Sequence, residues 1–128
     1  MKAPIIMHGN WVDNYDDPTH PIPSVSALDV QGILKPGGSD MTIVVASPLQ
    51  ADERSQQRLL SKIELYLKYL TSAEYEKQCG TPIPSNTSII VRIHQDSAAE
   101  IFELLERCRS WVFKNHATLK VEPMEVVQ

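Results

Sequence analysis

The densest group of residues that could do chemistry lies near the N-terminus. It contains five possible metal ligands: His8, Asp13, Asp16, Asp17 and His20. A calcium loop would need alternating oxygen ligands around a central glycine, and a structural zinc site would need regular ligand spacing. This segment has neither pattern. We therefore predict no metal and no cofactor here, and interpret the segment as a solvated acidic loop or a contact for another protein.

Two large aromatic residues, Trp11 and Tyr15, stand among these acids, and four of the nine prolines of the chain also lie within residues 1–24. We expect an extended N-terminal arm over this range. Tryptophan and tyrosine are frequent anchors of interfaces, and carboxylates steer basic partners. The arm therefore predicts partner-binding residues, which are Trp11, Asp13, Tyr15, Asp16 and Asp17. The alternative is that Trp11 only pins the arm to the sheet near Ile90.

A second polar pattern lies on the first predicted helix, where Arg54, Arg58 and Lys62 recur every four residues. We expect this basic stripe to lie on the solvent side, as Lys68 does. It is interpreted either as an ordinary solvated face or as a docking surface for an acidic partner. Arg54 and Arg58 are accordingly added to the predicted partner-binding residues.

A third group would meet at the ends of two strands, where His94 and Asp96 follow one strand and Ser47 and Gln50 follow another. Open α/β sheets bind ligands at such a rim. We interpret His94 as a surface residue of its strand and Asp96 as a helix cap. The chain has neither a Gly-x-Ser-x-Gly nucleophile motif nor a glycine-rich phosphate loop. We therefore expect a protein that is not an enzyme, with no catalytic residues.

These groups must be positioned by a small set of elements. Hydrophobic periodicity predicts strands over residues 26–34, 41–46, 87–94 and 117–122 and helices over residues 51–71 and 97–115. The order β-β-α-β-α-β indicates an α+β fold, a single four-stranded mixed sheet with two helices packed on one face. Right-handed crossovers make the last three strands parallel and place the first strand antiparallel at an edge. The domain would span residues 25–122, followed by a tail over 123–128.

Details of these elements carry further expectations. Ser97 and Glu100 have the spacing of a capping box at the start of the second helix. The sheet face away from the helices would carry Asp29, Gln31, Val44, Ile90 and Arg92. That face is apolar enough to need cover from the arm or from a second subunit, so a homodimer is possible.

Composition sets the class of protein. The chain has 128 residues, a net charge of −4 and 42% hydrophobic residues, which fits one globular domain. It has no basic excess for nucleic acid, and no apolar stretch long enough for a signal peptide or a membrane span. We therefore expect a cytoplasmic protein that binds neither nucleic acid nor membrane. Cys79 and Cys108 form no disulfide framework; we expect Cys108 to be buried and Cys79 to be partly exposed.

The segment from Leu28 to Glu122 resembles a family of small, uncharacterised bacterial α+β domains. The resemblance rests on Leu28-Asp29-Val30, the turn, the strand Thr42 to Ala46 and the stretch Gln57 to Leu67. The last of these is similar to the helix motif Leu-Gln-x-Lys-Leu-Asn-x-Tyr-Leu of the family; it keeps Lys62, Tyr66 and Leu67 and has Glu64 in place of the asparagine. The function of that family is unassigned, so the resemblance implies no catalytic residue.

Small acidic domains of this kind are similar to the immunity proteins that bacteria pair with secreted toxins. The preferred hypothesis is a non-enzymatic, immunity-type inhibitor that binds a toxin. One alternative is a small-molecule-sensing or regulatory domain that acts as a dimer through its sheet. Another is a small hydrolase or transferase that uses His94 and Asp96.

Overall fold

The computed structural model describes residues 16–35 and 37–124. The fold is α+β, with one four-stranded sheet and three helices. In chain order the elements are β1 (Val30–Ile33), β2 (Ser39–Val45), α1 (Glu53–Leu70), α2 (Ala73–Cys79), β3 (Thr87–His94), α3 (Ala99–Lys114) and β4 (Thr118–Met124). The two-helix prediction is corrected by α2, which we expected to be only a turn. The last strand reaches Met124, two residues into the expected tail.

The sheet has the order β1-β2-β3-β4. The β1–β2 pair is antiparallel, and the β2–β3 and β3–β4 pairs are parallel, as the rule of right-handed crossovers predicts. The mixed sheet and the antiparallel edge strand are therefore confirmed. Among the described residues, no helix is both long and apolar enough to cross a membrane.

The core lies between one face of the sheet and the helices. Alternate residues of β2 and β3 are fully buried: Met41, Ile43, Val45, Ile89, Val91 and Ile93. Leu59 and Ile63 of α1 and the stripe Ile101, Leu105, Cys108 and Val112 of α3 join the same cluster. Both predicted helical stripes are confirmed. The period of 2 in the strands and of 3.6 in the helices is what brings these side chains together.

The residues at the ends of α1 and α2 act as the caps that their types suggest, whereas the residue predicted to cap α3 does not. The Asp52 carboxylate caps α1 by accepting the Ser55 N–H at 3.1 Å, and Gly80 follows α2 with a φ of 80°, as a terminal glycine does. The cap of α3 is Ala98, which makes no side-chain bond. The expected capping box is wrong because the Ser97 hydroxyl accepts the Leu49 N–H at 3.0 Å instead.

The face assignment of β1 is inverted relative to the prediction. Val30 lies opposite Thr42, on the face away from the helices, and Gln31 lies opposite Met41 on the core face. The amide of Gln31 contacts α1 and α2, accepting a hydrogen bond from the Tyr69 hydroxyl at 3.3 Å and donating to the Cys79 sulfur at 3.7 Å. Polar groups on the helices therefore draw the polar residues of β1 inward. Because strands have a period of two, the same choice turns Val30 outward.

The turn between β1 and β2 depends on Gly38. Its φ is 93°, and a Cβ at this position would overlap the backbone of Asn86. The Gly38 N–H donates to the Cys79 carbonyl at 2.8 Å, and the Ser39 N–H donates to the Asn86 carbonyl at 3.0 Å. The hairpin is thereby attached to the end of α2 and to the loop before β3.

Both cysteines are buried and free. Burial raises the pKa of the Cys108 thiol to about 12, which suppresses its thiolate. The expectation that Cys79 is partly exposed is wrong, since it is 3% exposed. The hairpin turn and Gln31 cover the end of α2 where it lies.

Truncation of Leu105 to alanine tests this packing. Leu105 is fully buried in α3, so Leu105→Ala should lower the free energy of unfolding by about 2–5 kcal/mol through the cavity it leaves. Chemical denaturation measures this change. The control Glu103→Ala, at an exposed position of the same helix, should change it by less than about 0.5 kcal/mol. Equal effects of the two substitutions would contradict the packing of α3.

Candidate interaction surface

The basic stripe of α1 does not face solvent as predicted. Arg58 and Lys62 are each 1% exposed, and both bind residues 16–29, which we call the N-terminal strap. Only Lys68, of the four cations, has a largely exposed side chain. The expectation of a solvated stripe, and with it of Arg58 as an accessible partner contact, is corrected. A buried cation needs oxygen acceptors, and the strap supplies them.

Arg58 fixes the middle of the strap. Its Nε and Nη2 donate to the Ile22 carbonyl at 3.0 and 2.7 Å. The Ile22 side chain is itself buried in the core cluster. The guanidinium therefore donates to the Ile22 carbonyl at the point where the strap enters the core. Without such a donor, a loop that enters the core loses the hydrogen bonds that its backbone makes with water.

Lys62 fixes the end of the strap that leads into β1. Its ammonium donates to the Ser24 carbonyl at 2.7 Å, to the Ala27 carbonyl at 2.6 Å and to the Asp29 carboxylate at 2.8 Å. An ammonium has three donors, so all of its capacity is used. Lys62 is thus a structural cation enclosed by its own chain.

Asp29 and Tyr66 complete this network at the edge of β2. The second carboxylate oxygen of Asp29 accepts the Val44 N–H at 3.0 Å. The Tyr66 hydroxyl accepts the Asp29 N–H at 2.7 Å and donates to the Thr42 carbonyl at 2.9 Å. Burial raises the pKa of Tyr66, so the hydroxyl keeps its proton as a donor. The Asp29 carboxylate therefore takes the place of a strand partner for Val44, which lies beyond the pairing of β1 with β2.

Two predicted partner-binding residues bind each other. The Arg54 Nη2 donates to the Asp17 carboxylate at 2.6 Å. The Thr19 hydroxyl, followed by the Arg54 guanidinium, holds the pKa of Asp17 well below its usual range. Asp16, in contrast, is exposed, and its backbone forms an isolated antiparallel bridge with Ser24. Of these three residues, Asp16 is the one whose charge faces solvent.

His20 attaches the start of the strap to α1. Its Nε2 lies 2.9 Å from the Ser55 hydroxyl, and its Nδ1 accepts the Ile22 N–H at 2.9 Å. Burial, followed by the charges of Arg58 and Arg54, lowers the pKa of His20 against the opposing effect of Asp52 and Asp17. Protonation would remove the acceptor of the Ile22 N–H and add a third positive charge to this cluster.

The sheet face opposite the helices, which we call the open face, carries a mixed surface. Cross-strand neighbours give one row of Val30, Thr42, Ile90 and Lys120, and a second row of Val44, Arg92 and Glu122. Thr42, Val44 and Ile90 are partly exposed, and Arg92 and Glu122 form an ion pair of 3.7 Å. The predicted presence of Val44, Ile90 and Arg92 on this face is confirmed. Asp29 and Gln31 are absent from it because the helices bind them.

The predicted rim at the strand ends does assemble. The parallel register places Val45 beside Ile93, so the loops that follow β2 and β3 adjoin. The expectation that His94 lies at the surface is wrong, because it is buried in its turn. Its Nδ1 accepts the Asp96 N–H at 3.1 Å, and the Asp96 carboxylate is exposed. Asp96 is not the helix cap we expected, because α3 begins three residues later. His94 is occupied by the backbone of its own turn.

Two surface depressions lie elsewhere, one between the strap and α1 and one between α3 and β4. One, of about 400 Å³, is lined by Val25, Ser26, Ser61, Glu64, Leu65 and Lys68; the other, of about 360 Å³, is lined by Arg109, Ser110, Phe113, Thr118 and Leu119. Within residues 16–35 and 37–124, no group of three or more His, Cys, Asp or Glu side chains is placed to hold a metal ion. Trp11, Asp13 and Tyr15 lie outside the described residues, so their predicted role stays a prediction.

Sequence reasoning missed the central role of Lys62. The available signal was its position in α1, directly before Ile63 and four residues before Tyr66, where the apolar stripe lies. A lysine on such a stripe is either a long side chain reaching water or a cation with internal acceptors. The acceptors come from the segment 22–29, which spans the predicted boundary between the arm and the first strand.

Removal of the Lys62 charge tests the network. Lys62→Met keeps the length of the side chain but leaves two carbonyls and a carboxylate without their donor, so the free energy of unfolding should fall by about 3 kcal/mol. Urea denaturation measures the change. Lys68→Met, at an exposed position of the same helix, should change it by less than about 0.5 kcal/mol. Hydrogen exchange should increase in residues 22–29 for Lys62→Met only; unchanged exchange there would contradict the role of Lys62.

The environment of His20 predicts a pH dependence of stability. A lowered pKa means that the unfolded chain binds the proton more tightly, so the contribution of His20 is full above about pH 6.5 and is lost as pH falls towards the folded pKa. Urea denaturation between about pH 8 and about pH 5 should show this loss in the wild type. His20→Gln should flatten the curve, and His116→Asn, at an exposed position, should leave it unchanged. A wild-type slope in His20→Gln would contradict the assignment.

Comparison with known proteins found no matching family model, no matching curated protein and no matching solved structure. The resemblance to small bacterial α+β domains therefore stays a prediction, carried by the residues of the β1–β2 hairpin and α1.

Proposed function

We propose that this chain is a non-enzymatic, cytoplasmic protein-binding domain that binds its partner through the open face of the sheet. More narrowly, we propose an immunity-type inhibitor that neutralises a bacterial toxin. One observation carries the proposal: the helices cover only one face of the sheet, and the other face presents Thr42, Val44 and Ile90 partly exposed on its two central strands.

The layout of the open face supports protein recognition. Val44 and Ile90 form its apolar centre, and Arg92, Lys120 and Glu122 form a charged border on the β3–β4 side. An apolar centre inside a polar rim is the usual anatomy of a protein interface. The sheet also holds the face rigid, so little order has to be gained on binding.

The strap limits which charges can attract a partner. Arg58 and Lys62 are buried, and Asp17 is paired with Arg54. We therefore assign the attraction of a basic partner to Asp16 and Asp13 rather than to Asp17. The net charge of the whole chain, −4, acts in the same direction. Toxins that act on nucleic acids have basic active sites, and an acidic inhibitor suits them.

A toxin-like protein encoded beside this chain is the natural partner to test. Val44→Glu introduces a charge into the apolar centre, and because Arg92 lies directly opposite, the new carboxylate has a cross-strand partner and the fold should be retained. Binding measured by calorimetry should weaken by at least about tenfold, and protection from the toxin should fall. Phe113→Glu, at a site 60% exposed on α3, is the matched control and should bind normally.

The arm residues are tested separately with Trp11→Ala and Tyr15→Ala combined. If both are interface anchors, binding should be lost while the melting temperature stays unchanged. A large fall in melting temperature with binding retained would show that they are a structural cover. Normal binding by both Val44→Glu and the arm variant would overturn the proposed surface, and the absence of any binding to the neighbouring toxin would overturn the immunity role.

A further inference from the structure

The outer edge of β1 is unusual for the sheet edge of a small domain, because within residues 16–35 and 37–124 it is apolar and no strand or helix packs against it. Val30 and Ile33 are 53% and 52% exposed, and Leu34, the next residue, is 39% exposed. These three are most of the large hydrophobic side chains that are exposed in the described part of the chain. Exposed apolar edge strands are templates for pairing with another strand.

The opposite edge of the same sheet is protected. The Arg109 Nη1 of α3 donates to the Leu119 carbonyl of β4 at 2.6 Å. The strand also contains an exposed Lys120 and includes Pro123, which has no N–H to donate. Cations and proline are the usual devices that prevent edge pairing. Their presence on β4 marks β1 as the edge at which the sheet can be extended.

The backbone of β1 has groups available for such pairing. The Leu34 N–H donates to the Gly38 carbonyl at 3.0 Å, and the register pairs Gly32 with Asp40 and Val30 with Thr42. In an antiparallel ladder these alternate residues bond inward, so the residues between them direct their N–H and C=O groups away from β2. The outward residues are Gln31 and Ile33.

We propose that the occupant of this edge is a second copy of this chain, paired antiparallel to β1 about a two-fold axis at Gly32. In this register Gln31 exchanges two backbone hydrogen bonds with Ile33 of the partner subunit, and Ile33 does the same with Gln31 of the partner subunit. The interface is isologous, as in most homodimers. It joins two four-stranded sheets into one of eight strands, with all helices on one side and both open faces on the other.

The side chains favour this register over an unrelated strand. On the open face, Val30 lies opposite Leu34 of the partner subunit, so exposed apolar groups cover one another in two symmetric pairs. Gly32 meets Gly32 of the partner subunit at the axis, where the strands approach most closely and no side chain obstructs them.

A variant of the edge tests the dimer. Sedimentation velocity between about 1 μM and about 1 mM should show a concentration-dependent dimer of the wild-type chain. Ile33→Pro removes one outward N–H from each of the two subunits. Ile33→Lys keeps the backbone N–H and adds a charge at the edge. Each substitution should raise the dissociation constant of the dimer by about tenfold or more. Phe113→Ser removes an exposed apolar side chain far from β1 and should leave it unchanged. Circular dichroism and melting curves confirm that each variant is folded.

Crosslinking tests the register. A Cβ at Gly32 would meet only the Asp40 carbonyl, at 3.7 Å, so Gly32→Cys fits the monomer. Residues opposite each other in a non-hydrogen-bonded pair lie about 4.5 Å apart between Cα atoms, within disulfide range. Gly32→Cys should form an intermolecular disulfide rapidly under mild oxidation. Lys120→Cys on β4 should not, and the buried Cys79 and Cys108 should stay reduced.

Three results would overturn the proposal. One is a monomer at all concentrations with Gly32→Cys crosslinking no faster than Lys120→Cys. Another is a dimer that Ile33→Pro and Ile33→Lys leave intact, since it would use another surface. The third is a monomer whose β1 edge pairs only with a peptide of the toxin partner. The first two results do not depend on whether the open face binds a toxin, so the two proposals can fail separately.

Discussion

The buried ammonium of Lys62 is the constraint on which most of this structure depends. An unpaired charge in that position would lower the free energy of unfolding by about 3–5 kcal/mol. The chain must therefore bring oxygen atoms to it. Two carbonyls of the strap and the carboxylate of Asp29 meet that demand. The strap is therefore part of the domain, although its composition is that of a loop. Arg58 and His20 extend the same attachment along α1.

The same network decides how the sheet ends. Once Asp29 is drawn to Lys62, its other oxygen replaces a strand partner at Val44, and the Tyr66 hydroxyl donates to the carbonyl of Thr42, the residue paired with Val30 at the end of β1. The hairpin strand is left with only four residues, and their alternation is set with the polar side chains inward. Val30 is turned to the open face as a consequence, whereas Ile33 lies on the same face as Gln31 and is exposed at the end of the strand. The short strand and the outward position of Val30 are thus two results of one buried charge.

The charged groups that a partner can contact are those that do not take part in this network. Arg58, Lys62 and Asp17 are bound within the molecule, whereas the open face presents both apolar and charged groups. Recognition through a rigid sheet face differs from recognition through a helix, because its side chains are fixed in rows by the strand register. The two central strands supply the apolar side chains Val44 and Ile90, and the β3–β4 pair supplies the charges.

The sequence by itself determined the elements that depend on local periodicity. The apolar alternation of β2 and β3 and the stripes of α1 and α3 identify the core, because each element must bury one face against another. The parallel order of the last three strands follows from the handedness of crossovers.

What only the tertiary structure decided is the fate of polar residues whose partners are distant in sequence. Lys62 and Asp29 are 33 residues apart, and nothing local shows that one will bind the other. A cation every four residues is equally consistent with a solvated face and with a buried row. The strap decides between them, because its carbonyls accept hydrogen bonds from Arg58 and Lys62. The face of β1 follows the same rule, since a period of two specifies alternation but not which side is inward.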